Sequence, residues 1–286
     1  MTVISAPAPA VSVPAPTPYT VSLAVDETEV RAAQRLRHDV FAHEMGARLT
    51  TTEPGHDIDA FDAYCDHLLV RERATGEVVG TYRLLPPERA RVAGRLYADS
   101  EFDLSAQAAL RSDLVEVGRS CVHPAHRDGA VIALMWAGIA AYLTRSGHNW
   151  LAGCCSLPLA DGGAYAADVC RTVTQRHLAP PEHRVAPRLP WHAPETPSGP
   201  ASGPDTSGAG ASGAAAASGA ASGGASGGAA RNALPPLLRG YLRLGAKVCG
   251  PPAYDPDFHV ADLYVLLSLR DTNPRYLRHF LSLVPA

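Results

Sequence analysis

Lysine is nearly absent from this chain: Lys247 is the only one, so almost every positive charge is an arginine. Its 25 Lys and Arg are outnumbered by 28 Asp and Glu, for a net charge of −3, and no long basic block occurs; nucleic acid is therefore not an expected partner. The longest apolar run, Ala130 to Leu143, falls short of the ~20 residues that span a bilayer. The N-terminus lacks the basic region and apolar core of a signal peptide, so a cytoplasmic location is expected. Six cysteines, at 65, 121, 154, 155, 170 and 249, include no CxxC pair, and most sit among apolar neighbours as Cys154 and Cys155 do. Disulfides, structural zinc and a thiol nucleophile are accordingly not expected, and no bound metal or cofactor is anticipated.

Two tracts lack the large apolar side chains that a core needs. Residues 1–18, with proline at 7, 9, 14, 16 and 18, read as a disordered tail. Residues 195–230, a Ser/Gly/Ala-rich tract, offer little to offset the entropy of ordering and read as a flexible insertion. The 56 residues after Ala230 are near the lower limit for an independent domain. They are expected to return to the same core, making 19–286 one interrupted domain.

The rest alternates between two periodicities. Residues 20–25 read as a strand, and a helix follows in which Asp26 caps and Val30, Ala33, Leu36, Val40 and Phe41 recur at helical spacing. Residues 66–73 and 77–85 form a hairpin about Ala74-Thr75-Gly76. Strands are expected at 114–122, 150–157 and 261–269, and helices at 129–146, 163–171, 234–243 and 273–283. This order predicts an α/β fold with a mixed, mostly antiparallel sheet flanked by helices, and fits poorly with a three-layer dinucleotide-binding sheet.

The strand at 114–122 carries Glu116 and Arg119 inside "VEVGRSCVHP". Three residues apart, they face opposite ways in a regular strand. A bulge, for which Gly118 is suited, brings them to one face and splits the sheet. One reading makes them an internal ion pair; the other makes Glu116 a proton acceptor and Arg119 an anion-binding group in a cleft. The following "VHPAHRDGA" leads from strand into helix, placing free N–H groups beside His126, Arg127 and Gly129, which suits a phosphate.

The run "VHPAHRDGAVIALMWAGIAAYL" resembles the strand-to-helix segment of the Gcn5-related N-acetyltransferase fold, whose central sheet is splayed. In that family the loop binds the pyrophosphate and pantetheine of an acyl thioester. Arg127-Asp128-Gly129 is one residue short of the usual pattern, a departure compatible with a phosphopantetheine arm presented by acyl carrier protein. The N-terminal half is similar to acyl-homoserine-lactone synthases at Arg37, Asp59, Asp62, Arg83, Glu116 and Arg119. The closer resemblance is to ornithine-acyl carrier protein N-acyltransferases, through "LPPLLRGYLRLGAKVCGPPAYDPDFHVADLYVLLSL" and "RYLRHF".

The resemblance implies an enzyme that transfers a (3-hydroxy)acyl group from acyl carrier protein to the α-amine of ornithine, giving lyso-ornithine lipid for a downstream O-acyltransferase. It implies Glu116 and Arg119 as the catalytic pair and His126, Arg127 and Gly129 as the donor loop. Arg37, Arg83 and Ser156 join the acceptor site, with Asp59 or Asp62 for the acceptor's side-chain ammonium; the same arginines and aspartates also read as a network ordering a loop. Met135, Trp136, Leu157 and residues of the C-terminal block are expected to line an acyl tunnel. An amphipathic product makes peripheral contact with the cytoplasmic membrane face an expectation. The competing readings are another N-acyl-amino-acid or acyl-homoserine-lactone synthase, and a non-catalytic module binding acyl thioesters or their carrier. Asp255 and Asp257 lie close enough in sequence to suggest a metal, but the prolines around them favour a tight turn.

Overall fold

The computed structural model describes residues 17–194 and 234–283. All but the last two residues of the expected tail, and the whole of the expected insertion at 195–230, lie outside the described residues.

The first strand, β1 (Tyr19–Leu23), leads into helix α1 (Glu27–His38). Asp26 stops the strand and starts the helix: its Oδ1 accepts the Glu29 N–H at 2.9 Å, while Glu29 Oε2 accepts the Val25 N–H at 2.9 Å. A π-helical turn, Asp39–Glu44, extends α1 and buries Val40 and Phe41. The hairpin forms as expected from β2 (Asp66–Glu72) and β3 (Val78–Leu85). Between 86 and 113, where no periodicity guided the sequence reading, the chain makes helix α2 (Pro87–Ala93), a 3-10 turn at Tyr97–Ser100, and the short strand β4 (Phe102–Asp103).

The centre of the sheet is β5 (Leu114–Val122), followed by helix α3 (Ala130–Ser146) and β6 (Trp150–Pro158). Helix α4 (Ala164–His177) runs beyond the expected end at 171, because Ala166, Val169 and Val173 continue one buried stripe. After β7 (Ala186–Pro187), which pairs with β4, come α5 (Pro236–Leu244), β8 (Lys247–Val248), β9 (Ala253–Asp255), β10 (Val260–Ser268) and α6 (Pro274–Leu281).

The large sheet has the order β1-β2-β3-β5-β6-β10-β8, with β9 also pairing β10. Only β5 and β6 run parallel; all its other pairings are antiparallel. Alternate residues of β3 serve different faces: Tyr82 and Leu84 join the core that holds α3, while Leu85 joins a second core and Arg83 reaches the carboxylate bound by Arg37 of α1. The C-terminal segment does return to the same core. β10 pairs with β6 from Val260 opposite Pro158 to Ser268 opposite Trp150, and Tyr241 of α5 meets Trp136 of α3 edge to face with ring centroids 4.3 Å apart.

Two local features open the sheet. Strands β5 and β6 pair only at Leu114–Trp150, Val115–Leu151 and Glu116–Ala152, and then diverge. At the parting point Gly153 has no room for a side chain, since a Cβ there would stand 2.2 Å from the Val117 carbonyl oxygen. Opposite, Arg83 faces Gly118 but Thr81 faces Cys121, so β5 carries an extra residue. The expected bulge is present, with the left-handed backbone at Arg119 (φ 51°) rather than at Gly118. A non-glycine residue in that region costs about 1–2 kcal/mol.

Gly153→Ala is expected to destabilise the fold by about 1–3 kcal/mol in denaturant unfolding, the cost of forcing a methyl into packed backbone. An unchanged midpoint would show that the strands part without needing this close approach.

Candidate active site

The parting strands enclose a cavity of about 250 Å³. Glu116 and Arg119 both line it, so the bulge does turn the pair to one face. They do not bond each other. Glu116 is buried, and its two oxygens accept the backbone N–H groups of Tyr97 at 2.6 Å and Ala98 at 2.9 Å, anchoring the 3-10 turn over the cavity. Burial raises its carboxyl to about 7 against the pull of those two donors.

Arg119 lies between two rings, its guanidinium carbon 5.3 Å from the centroid of Tyr97 and 4.9 Å from that of Phe258. Its ion pairs are loose: Nη2 is 3.3 Å from Asp59 and Nε 3.3 Å from Asp57, and the buried Nε makes no hydrogen bond.

Behind Arg119 the arginines and aspartates form a closed network. Arg37 is fully buried, forks onto Asp62 at 2.9 and 2.8 Å, pairs with the Asp57 carboxylate at 2.9 Å, and donates to the Asp57 carbonyl. Arg83 binds Asp59 at 2.6 Å and Asp62 at 3.3 Å. Burial raises the proton affinity of Asp62, but the Arg37 and Arg83 guanidiniums outweigh it and hold the carboxyl well below the usual range. Asp59 is lowered in the same way, burial being outweighed by Arg83 and Arg119. Of the residues expected to meet the acceptor, Arg83 and Ser156 line the cavity beside Arg119, whereas Arg37, Asp59 and Asp62 stand behind its wall.

The expected donor loop lies apart from this cavity, at the start of α3. Arg127 forks onto Glu44 at 2.6 and 2.7 Å, His126 Nδ1 is 3.0 Å from the Tyr19 hydroxyl, and Asp128 Oδ1 accepts the Ala130 N–H at 2.9 Å. Gly129, at φ 99°, turns the chain into the helix.

Met135, Trp136 and Leu157 are corrected from tunnel to core: they are buried and none borders the cavity, whose apolar wall is made by Tyr82, Leu237, Pro235 and Phe258. All six cysteines are free, and burial pushes every one of their thiols upward, Cys121 and Cys155 to about 12, which leaves no ready thiolate.

Sequence reading missed Tyr97, Glu101, Phe258 and Asp262, all of which line the cavity. For Asp262 a signal existed: it is the lone carboxylate in the apolar strand "VADLYVLLS", as Glu116 is in β5. Glu101, Asp255 and Asp262 bring carboxylate oxygens within 4.8 Å of one another and are one of two groups among the described residues close enough to share a cation; the other, His38, Asp39 and His43, is on the surface. Asp257 is not part of the group. Asp255 Oδ1 instead accepts the N–H groups of Asp257 and Phe258, the turn expected from the prolines.

Residues 36–137 match the family described as Acetyltransferase (GNAT) domain. In fold the chain is similar to a CoA-dependent acyl-homoserine lactone synthase bound to MTA, with a TM-score of 0.50 and 16% identity, covering 94% of this chain and 90% of that one. The mixed sheet, splayed between its two parallel strands, thus has the GNAT fold. Over 267 residues the chain is 33% identical to the L-ornithine N(alpha)-acyltransferase of Agrobacterium fabrum, covering 90% of this chain and 83% of that protein. It is 32% identical over 273 residues to that of Rhodobacter capsulatus, covering 92% and 94%. The chain belongs to the L-ornithine N(alpha)-acyltransferase family.

Asp62→Asn leaves Arg37 buried with half its fork and is expected to cost about 3–5 kcal/mol in urea unfolding, the usual penalty for breaking a buried ion pair. A loss below about 1 kcal/mol would show that the network does not hold the fold.

Proposed function

We propose that the ornithine α-amine meets the acyl thioester in the cavity between the parted strands, and that the donor is acyl carrier protein bearing a 3-hydroxyacyl chain. The observation that carries the donor reading is the state of the α3 start. Its anion-binding groups are already met within the chain, Arg127 by Glu44 and the Ala130 N–H by Asp128. A pyrophosphate placed there has to displace two carboxylates, whereas a phosphopantetheine arm carries a single phosphate and brings no adenosine diphosphate.

The chemistry follows from what an amide-forming step requires. An α-amine is largely protonated near neutral pH, so a proton must leave before attack. Glu116, raised to about 7 by burial, is matched to accept it, directly or through a water. The free amine then attacks the thioester carbonyl carbon, a C–N bond forms, and the resulting oxyanion is met by N–H groups of β5 where β6 no longer pairs with it. The C–S bond breaks, the nitrogen loses its second proton, and the pantetheine thiol leaves protonated.

Arg119, with its slack ion pairs and an unbonded Nε, is the guanidinium available to the acceptor's carboxylate. Arg37, Arg83, Asp57, Asp59 and Asp62 hold Arg119 and the loop in place.

Among the described residues no helix is long and apolar enough to cross a membrane. The product, a single acyl chain on a zwitterionic head, is a lipid whose next acylation is the work of an O-acyltransferase at the bilayer. Peripheral contact with the membrane is part of this proposal.

Purified protein given ornithine and 3-hydroxypalmitoyl acyl carrier protein, or the same acyl group on coenzyme A, is expected by mass spectrometry to make N-acyl-ornithine faster from the carrier protein. Equal or faster turnover of the coenzyme A ester would refute the donor reading; product only with another amino acid would replace the acceptor.

Glu116→Gln is expected to lower kcat at least about tenfold, remove the kinetic ionisation near pH 7, and leave the donor KM within about twofold. A variant of lower thermal stability that keeps the wild-type pH profile would make Glu116 an anchor of the Tyr97 turn and nothing more.

A further inference from the structure

One set of carboxylates lines the reaction cavity and another stands behind its wall, and they differ in what they hold. Asp57, Asp59 and Asp62 are engaged by arginines. Glu101, Asp255 and Asp262 have no such partner: no salt bridge to any of them occurs among the described residues. Asp262 is only 2% exposed, and its Oδ1 finds no hydrogen bond; Glu101 Oε2 is buried and unbonded as well. All three residues line the cavity.

We propose that Glu101, Asp255 and Asp262 form the pocket for the side-chain ammonium of the acceptor, and so make the enzyme select a diamino acid over one with an apolar side chain. The inference rests on the reading of this cavity as the acceptor site. Three acceptor groups within 4.8 Å match the three N–H donors of one ammonium. Asp59 and Asp62, the aspartates expected from the sequence to take this role, have their oxygens committed to Arg37, Arg83 and backbone N–H groups.

The carboxylates of this pocket have little positive charge beside them. Burial and then the Asp262 carboxylate push Glu101 up to about 9; burial raises Asp262 as well, while the Ser156 hydroxyl opposes it. Glu101 therefore holds a proton near neutral pH. An entering ammonium supplies the missing charge, and a proton leaves.

A divalent metal is the other cation that carboxylates attract. The ammonium is favoured because the same cavity has opposite polarity at two places, the slack guanidinium of Arg119 and the three carboxylates. A molecule with a carboxylate at one end and an ammonium at the other satisfies both, and ornithine has that form.

The test compares ornithine with 2-aminopentanoate, which has the same five carbons and no side-chain ammonium, using saturating acyl carrier protein thioester. In Asp262→Asn and Glu101→Gln the ratio of kcat/KM for ornithine to that for 2-aminopentanoate is expected to fall about tenfold or more, the scale of one lost charge-assisted hydrogen bond. A ratio equal to that of the unaltered protein overturns the pocket. So does an ornithine preference that is abolished by a chelator and restored by Mg²⁺ or Mn²⁺, which would assign the carboxylates to a metal.

Should the variants not fold, calorimetry on the unaltered protein in buffers of different ionisation enthalpy decides: ornithine is expected to release more protons on binding than 2-aminopentanoate, and equal release overturns the proposal. Failure of the unaltered protein to acylate ornithine at all would instead overturn the acceptor reading, a result separable from an unchanged ratio.

Discussion

Everything at the site depends on two parallel strands that hold together for three residue pairs and then separate. Where strands part inside a sheet, each has backbone donors and acceptors that no neighbour satisfies, and these must be met by loops or by a ligand. Here the Val117 carbonyl crosses Gly153 at the fork, and the extra residue in β5 swings Arg119 into the gap. The 3-10 turn at Tyr97 then closes over the opening, tied down by the carboxylate of Glu116. The early parting of the strands and the bulge in β5 together create the space, the polar groups and the anchor for the cover.

The charges around that space divide by partnership rather than by residue type. Arg37 with Asp57 and Asp62 is a sealed unit that contributes rigidity, since a buried fork is worth little until one half is removed. The carboxylates of Glu101, Asp255 and Asp262 line the cavity itself without a counter-ion. Arg119 stands between the two conditions, held by rings and by carboxylates 3.3 Å away, and is the one arginine of the network with a half-buried, cavity-side position and only long ion pairs.

Much of the fold was legible because its elements are long and periodic. β5 was bounded correctly at both ends, and the return of β10 to the core followed from the small size of the C-terminal piece. The segment from 86 to 113 was not legible, since it is built of a short helix, 3-10 turns and a two-residue strand held by tertiary contacts. The site suffered accordingly. Glu116 and Arg119 announced themselves as charges in an apolar strand, but Tyr97 and Glu101 come from that unreadable stretch. Which aspartate pairs with which arginine also needed coordinates: Asp262 meets Glu101 across most of the chain, and a carboxylate's partner leaves no trace in local spacing.

The pairing of β10 with β6 has a consequence for how the protein is made. About 100 residues separate the end of β6 from the start of β10, and a ribosome adds about 5–20 residues per second. During synthesis, the apolar strand "WLAGCCSLP" therefore waits for seconds with one flank open and the other joined to β5 for only three pairs. An unpaired apolar edge is a template for other chains. The last strand to emerge thus does two things at once: it delivers Asp262 to the cavity, and it ends the interval in which the nascent chain is most exposed to aggregation.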